Sequence, residues 1–312
     1  MSVVAGCSLF NGVMLASDCR LTVEGSNNTK TYSDNVQKIF PLTPTMGIGF
    51  VGSLGVAGHI LQGCRRQIQR KSRIDTISMI QWLPRYFRHS FSKIKFKQPV
   101  AFMVASVIPR QPNIIERENA VKIMNKIIKE ESPAIRNWIP DILVKIIRTP
   151  KDDKYVTLLD CPKGFLYVMK SPNFIPKHLK PLEFAAIGSG QNVNFAIEEY
   201  QDMIFAGDVG NSFFESINLK ECMRRFIKEH NIEDVGGLYP CLKVGTNGIE
   251  LLGNSVKSSF YNTEIKLSCN NDGRWIQKNV TSGKEIKLLF PWEIDCQRIN
   301  RNNKFDDLDK IH

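Results

Sequence analysis

The chain has 312 residues, with 42 Lys plus Arg against 31 Asp plus Glu for a formal net charge of +11, and 42% of its residues are apolar. That is enough to bury a full core in one large domain or two modest ones, which excludes low-complexity disorder as the main state. No window approaches the roughly eighteen unbroken apolar residues of a membrane-crossing helix, and the start MSVVAGCSLFNG lacks a basic leader with a long apolar core. The expectation is a soluble, unexported, cytoplasmic protein with no membrane partner.

The eight cysteines are scattered, with no C-x-x-C pair and no His at zinc-finger spacing. This removes the usual metal and redox motifs and leaves buried free thiols in a reducing compartment. The basic surplus is carried by no tract of consecutive cations, so by itself it names no partner.

In chain order, Val3 to Cys7 and Val13 to Ser17 predict a hairpin turning at Phe10-Asn11-Gly12. Glu24 to Asp34 is polar and reads as a surface loop, and Val36 to Pro41 and Met46 to Val51 read as strands. Helical spacing follows: Leu54, Ala57, Ile60, Leu61, Cys64 and Ile68 mark one helix, and Ile77, Ile80, Trp82, Leu83 and Phe87 mark a second. Val100 to Val107 reads as a buried strand. Two amphipathic helices with Lys/Arg-rich polar faces are expected between Glu116 and Arg148, broken near Ser132-Pro133.

Strands are expected again at Tyr155 to Leu159, Phe165 to Met169 and Phe184 to Ile187, then helices at about Asn192 to Met203 and Leu219 to His230. Leu238 to Val244 and Ile249 to Leu252 predict a last strand pair around Asn247-Gly248, and the tail beyond about Ser255 reads as β-rich with a turn at Asn271-Asp272-Gly273. Paired strands alternating with paired helices predict a layered α+β sandwich rather than repeating βαβ units.

Gly47-Ile48-Gly49-Phe50-Val51-Gly52 satisfies G-x-G-x-x-G ahead of a helix. A dinucleotide site also needs a buried strand just before the glycines and an acidic residue ending the next strand, and neither is legible here. Ser2 is more informative. Removal of Met1 would leave it with both a hydroxyl and a free α-amine that titrates at about 7.7–8.0, so nucleophile and general base would reside on one residue.

Ser2 is followed by Gly12, by Leu15-Ala16-Ser17-Asp18-Cys19-Arg20, by Val36-Gln37-Lys38-Ile39 and by Gly52-Ser53-Leu54-Gly55. In this ordered set the chain resembles the β-type subunits of proteasomes and the related bacterial peptidase rings, members of the N-terminal-nucleophile (Ntn) hydrolases. The resemblance covers roughly residues 2–108 and 155–252, and Ala186-Ile187-Gly188-Ser189-Gly190 is similar to the family's later Gly-Ser-Gly element.

The resemblance implies a four-layer αββα sandwich over residues 2–254, to which a helical insert at about 112–150 and a β-rich extension and polar tail over 255–312 are additional. It implies Ser2 as nucleophile, Lys38 as the buried ammonium that eases alkoxide formation, Asp18 as its partner, Gly52 as backbone donor to the oxyanion and Ser189 as hydrogen-bond partner of the terminal amine. Thr22 would bind the substrate backbone, and Val36, Phe50 and Leu54 would line an apolar first pocket.

Two departures are located. Ser2 stands where these subunits carry Thr, and Val235 occupies the family's supporting hydroxyl position, which leaves Asp234 or Glu233 as the supporting acid. No cofactor is implied. The implied partners are a peptide or protein substrate, further copies of the chain and an ATP-driven unfoldase. Two other readings stand beside this one: a non-catalytic ring or scaffold subunit, and, less favoured, a nucleic-acid-binding protein on the same fold.

Overall fold

The structure, a computed structural model, describes residues 2–9, 12–24, 30–70, 75–108, 163–179, 184–188, 219–220, 223–225, 227–228, 232, 235–245, 248–252, 255–258, 263–270 and 273–294. The expected insert at 112–150 and polar tail beyond 294 lie outside the described residues, as do the expected strand Tyr155 to Leu159, the helix Asn192 to Met203, and the site candidates Ser189 and Asp234.

The strands, in order, are β1 (Val3–Leu9), β2 (Gly12–Ser17), β3 (Leu21–Glu24), β4 (Lys30–Ser33), β5 (Ile39–Thr43) and β6 (Met46–Gly52). Helices α1 (Leu54–Gln69) and α2 (Thr76–Ser92) follow, then β7 (Val100–Ile108), β8 (Lys163–Lys170), β9 (Lys177–His178) and β10 (Phe184–Gly188). The last strands are β11 (Cys241–Gly245), β12 (Gly248–Leu252), β13 (Ser255–Ser258), β14 (Thr263–Cys269), β15 (Trp275–Asn279) and β16 (Glu285–Lys287).

Two five-stranded antiparallel sheets, β10-β1-β2-β11-β12 and β5-β6-β7-β8-β9, form the centre. Strand alternation sends Val4, Val13, Leu15 and Leu242 of the first sheet and Val51, Met103, Leu166 and Val168 of the second into one shared apolar layer. The other face of the second sheet, with Ile48, Phe50, Phe102 and Met169, packs on α1 and α2 through Ile60, Leu61, Leu83 and Phe87. On the other face of the first sheet, Val3, Ala5, Met14 and Cys241 pack with Leu219 and Met223, which belong to a helical stretch, and with Val235.

The G-x-G-x-x-G run lies along β6, in the interior of an antiparallel sheet. Its glycines serve sheet-to-sheet approach. A Cβ at Gly47 would lie 2.5 Å from Leu242 Cδ1, and one at Gly49 would lie 2.7 Å from Val4 Cγ1.

Three local expectations change. The polar stretch after Glu24 is no plain loop, because Lys30–Ser33 pairs with Leu21–Glu24 as a two-stranded hairpin. The strand expected from Val36 begins at Ile39. Residues 36–38 leave the sheet, and Val36 bridges in parallel to Leu289 instead. The strand expected from Leu238 starts at Cys241, after Pro240, which has no N–H to give a ladder.

Strands β13 to β16 form a four-stranded sheet of their own. It does not stand apart. Leu267 and Trp275, together with Leu288, share a core with Cys19 and Leu238, and Phe290 and Trp292 pack on Phe40 with ring centroids 5.8 and 5.1 Å apart.

Candidate active site

Antiparallel pairing gathers the predicted residues at one rim. Ser2 immediately precedes β1 and Asp18 immediately follows β2, and the register Val4↔Ser17 puts those two strand ends together. Lys38 precedes β5 and Gly52 ends β6, joined by the register Ile39↔Gly49. Gly188, the last described residue before Ser189, pairs with Val3 at the same rim.

A buried ion pair ties the two sheets together there. Lys38 Nζ lies 2.7 Å from Asp18 Oδ2, with the two residues 2% and 0% exposed. The carboxylate is fully used: Oδ1 accepts from Val3 N at 2.9 Å, and Oδ2 accepts from Arg20 N at 3.1 Å as well as from the ammonium. Lys38 Nζ also donates to the Arg20 carbonyl at 2.5 Å. An ammonium this far from water stays in place only with a counterion and hydrogen bonds of this kind.

The chain on either side is fixed too. Val3 N is held by the carboxylate that holds Lys38, so Ser2, half-buried, is one peptide unit from the pair. Phe50 N donates to the Lys38 carbonyl at 3.1 Å, which couples the lysine to β6 two residues before Gly52. Gly52 is exposed with φ +97°, a left-handed conformation that glycine adopts without strain, and the Pro99 carbonyl occupies the place a Cβ would take. Ser53 caps α1, its side chain accepting from Val56 N at 3.4 Å, so the open Gly52 backbone stands at the positive end of a helix.

Three residues here were given no role by sequence reasoning. Arg20 forms a two-bond pair with Asp34, Nε to Oδ1 at 2.9 Å and Nη2 to Oδ2 at 3.1 Å, and lies 5.1 Å over the Tyr32 ring. The Asp34 hydrogen bonds push its guanidinium pKa up despite partial burial. Gly236 leaves room for that guanidinium, since a Cβ there would lie 2.5 Å from Arg20 Cζ. Gln37, fully buried beside Lys38, donates to the carbonyls of Gly273 at 2.6 Å and Ile39 at 3.2 Å, and its Oε1 accepts from Trp275 N at 3.1 Å. Arg20 follows Asp18 in the sequence and was open to notice. Gln37 carried no such sign, since its partners Gly273 and Trp275 lie more than two hundred positions away.

Cys19 is not a rival nucleophile. Burial pushes its thiol pKa well up and the Asp18 charge pushes it further, only partly offset by Lys38, so the thiolate is suppressed.

The other predicted residues divide. Thr22 is half-buried in β3, opposite Tyr32. Val36 and Phe50 are buried in the apolar layer beneath α1, and Leu54, at the first turn of α1, packs half-buried against the same layer. Leu289, Phe290 and Ile294 from the C-terminal region belong to that layer as well. Val235, 3% exposed, is a core residue beside Val3 and Ala5.

No family model matches the chain. Over 66 residues it is 36% identical to proteasome subunit beta 1 of Staphylothermus marinus, a stretch covering 21% of this chain and 29% of that protein. The matched stretch is thus under a third of that relative's length, and it makes the chain proteasome-like over that part. Among the described residues, no helix is long and apolar enough to cross a membrane.

Proposed function

We propose that the protein is an Ntn hydrolase of proteasome-like type, an αββα sandwich that cleaves peptide or amide bonds with Ser2 as nucleophile and assembles as an oligomer. The observation that carries this reading is the buried Lys38–Asp18 pair at 2.7 Å, hydrogen-bonded to Val3 N and standing at the rim where β1 and β5 begin and β2 and β6 end. The partial likeness to a proteasome β subunit supports it.

The reaction requires a free Ser2 amine, and so removal of whatever precedes Ser2, Met1 in this sequence. Ser2 Oγ then adds to the substrate carbonyl carbon while its proton passes to the Ser2 α-amine. Lys38 Nζ, positive and poorly solvated, favours the developing alkoxide, and Gly52 N–H faces the oxyanion. Collapse breaks the C–N bond, and the proton held by the α-amine goes to the leaving nitrogen. Water adds to the ester, gives one proton to the α-amine and releases the acid. That proton returns to Ser2 Oγ.

Intact mass before and after an electrophilic peptide probe tests this. The mature chain is expected to lack Met1 and to gain one probe mass, which Ser2→Ala abolishes and Ser2→Thr retains. The burial of Val235 in the core, where the family places a hydroxyl, favours a second reading as a non-catalytic ring subunit. An unlabelled wild-type chain that still assembles would select it.

A further inference from the structure

We infer that the rim beside the candidate site is a docking surface for acidic segments of the peptide substrate. This deepens the hydrolase reading and rests on it.

The rim continues past Gly52 without a break. Ser53 N donates to the Pro99 carbonyl at 2.9 Å, Gly52 pairs with Val100, and Ser171 N donates to the Val100 carbonyl at 2.9 Å. The ends of β6, β7 and β8 therefore lie side by side, with Lys170 two strands from Gly52, or about 10 Å at the usual strand spacing of roughly 4.8 Å. Arg88 of α2 donates from Nε to the Asn173 carbonyl at 3.0 Å, which fixes the end of α2 to the turn after β8.

This stretch carries one sign of charge. Arg88, Lys93, Lys95, Lys97 and Lys170 are all exposed, and the sequence has no Asp or Glu from residue 76 to 115 or from 163 to 182. Among the described residues none of these five cations forms an ion pair. Two large apolar side chains stand among them, Phe96 at 77% and Ile175 at 67% exposed, and Lys95 Nζ lies 5.6 Å over the Phe96 ring. Among the described residues, Asp18 and Asp34 at the rim are paired, with Lys38 and Arg20. A uniformly positive rim raises the local concentration of anionic chain and speeds its encounter.

Continuity with the strand ends that carry Lys38 and Gly52 favours a peptide over a nucleic acid as occupant. An extended peptide advances about 3.4 Å per residue, so a chain seated at Gly52 reaches Lys170 after about three residues. Acidic residues at that remove from the cleaved bond meet the cations.

The test uses two fluorogenic peptides that share the residues flanking the cleaved bond and differ in a distal run of Glu or Gln. At low salt the Glu peptide is expected to show a kcat/KM about ten-fold higher, with the gain in KM and lost as ionic strength rises. Combined Lys95→Glu, Lys97→Glu and Lys170→Glu changes should remove the difference, and Lys284→Glu with Lys287→Glu on the C-terminal sheet should leave it. A second arm needs no turnover: anisotropy of the labelled Glu peptide on the Ser2→Ala chain reads binding alone, so absence of catalysis and absence of docking are told apart. Equal affinity for the Glu and Gln peptides overturns the proposal. So does a single-stranded oligonucleotide that binds through these lysines where the Glu peptide does not.

Discussion

Asp18 and Lys38 each have an obvious task as a structural pair, so the chemical question is whether the pair does more. Losing one partner of a buried pair leaves an uncompensated charge, and Asp18→Asn is expected to cost about 3–5 kcal/mol in urea unfolding. Replacing both, by Asp18→Leu with Lys38→Met, removes the stranded charge and should recover part of that loss, the remainder being the Val3 and Arg20 N–H groups left without their acceptor. Acylation by the peptide probe should be absent from both variants. A stable double variant that still acylates would make the pair purely architectural. At this scale the resemblance paired Asp18 with Lys38 and the structure brings them together, whereas Gln37 is held by backbone groups at Gly273 and Trp275 that no local pattern could connect to it.

Among the elements, α1 shows how a helix is fitted to two neighbours. One face packs on the second sheet through Ile60 and Leu61, and Gly58 lets the C-terminal segment cross, with the Pro291 carbonyl 2.6 Å from where a Cβ would sit. Alanine has the better helix propensity by about 1 kcal/mol, so Gly58→Ala on an open helix would stabilise. Here the clash is with backbone, and overpacking of this kind costs about 1–3 kcal/mol. Gly58→Ala is therefore expected to be net destabilising by thermal unfolding, with faster amide exchange over 288–294 than over β6. A raised melting temperature with unchanged exchange would contradict it.

Pattern located β1, β2, β6 and β7 as short apolar runs because both their faces lie in apolar layers, and α1 and α2 because one face of each does. Helix α2 runs through Pro84, as its apolar spacing implied. Periodicity did not reveal the β3–β4 hairpin. Lys30, Thr31 and Tyr32 are exposed there, and no buried face imposes alternation. The length of β5 was also hidden, since Pro41 is admissible on an edge strand and a bulge follows it.

Across the whole molecule, the C-terminal region is tied to the site segment through Gln37 and Asp34, and polar bonds of its own hold its end in shape. Arg274 donates to both oxygens of Glu293, at 2.7 and 2.5 Å, and to the Leu288 carbonyl at 3.1 Å, and its guanidinium lies 4.6 Å over Phe290. Burial pushes the Glu293 pKa up, but the hydrogen bonds from Arg274 and Phe290 N outweigh it, and the net effect is a value below the ordinary 4.5. A carboxyl with a lowered folded value contributes stability above its unfolded value, and that contribution is lost as pH falls through the folded one. Acidification below about 4.5 should thus loosen this region. Glu293→Gln should flatten that limb of the pH–stability curve, read by unfolding midpoints between neutral and acid pH, and parallel curves for the two chains would refute the assignment. The C-terminal region lies beyond the stretch the resemblance covers, and its β-richness was readable from its own pattern. Its shared core with Cys19 and Leu238 was not, because burial of Trp275 against residues so distant in sequence leaves no local trace.

The order of synthesis gives that long-range contact a temporal meaning. Residues 273–294 leave the ribosome after everything they cover, and until they dock, Gln37 has no partner at Gly273 or Trp275 and Cys19 lacks its cover. The segment bearing Lys38 then keeps its bonds to Cys19, Phe50 and Asp18 but lacks those that Gln37 makes with the C-terminal region. A nascent chain that has already folded β1 to β12 would hold Ser2, Asp18 and Lys38 without the brace on the neighbouring Gln37, so the fully supported site arises late, when the rest of the body has formed.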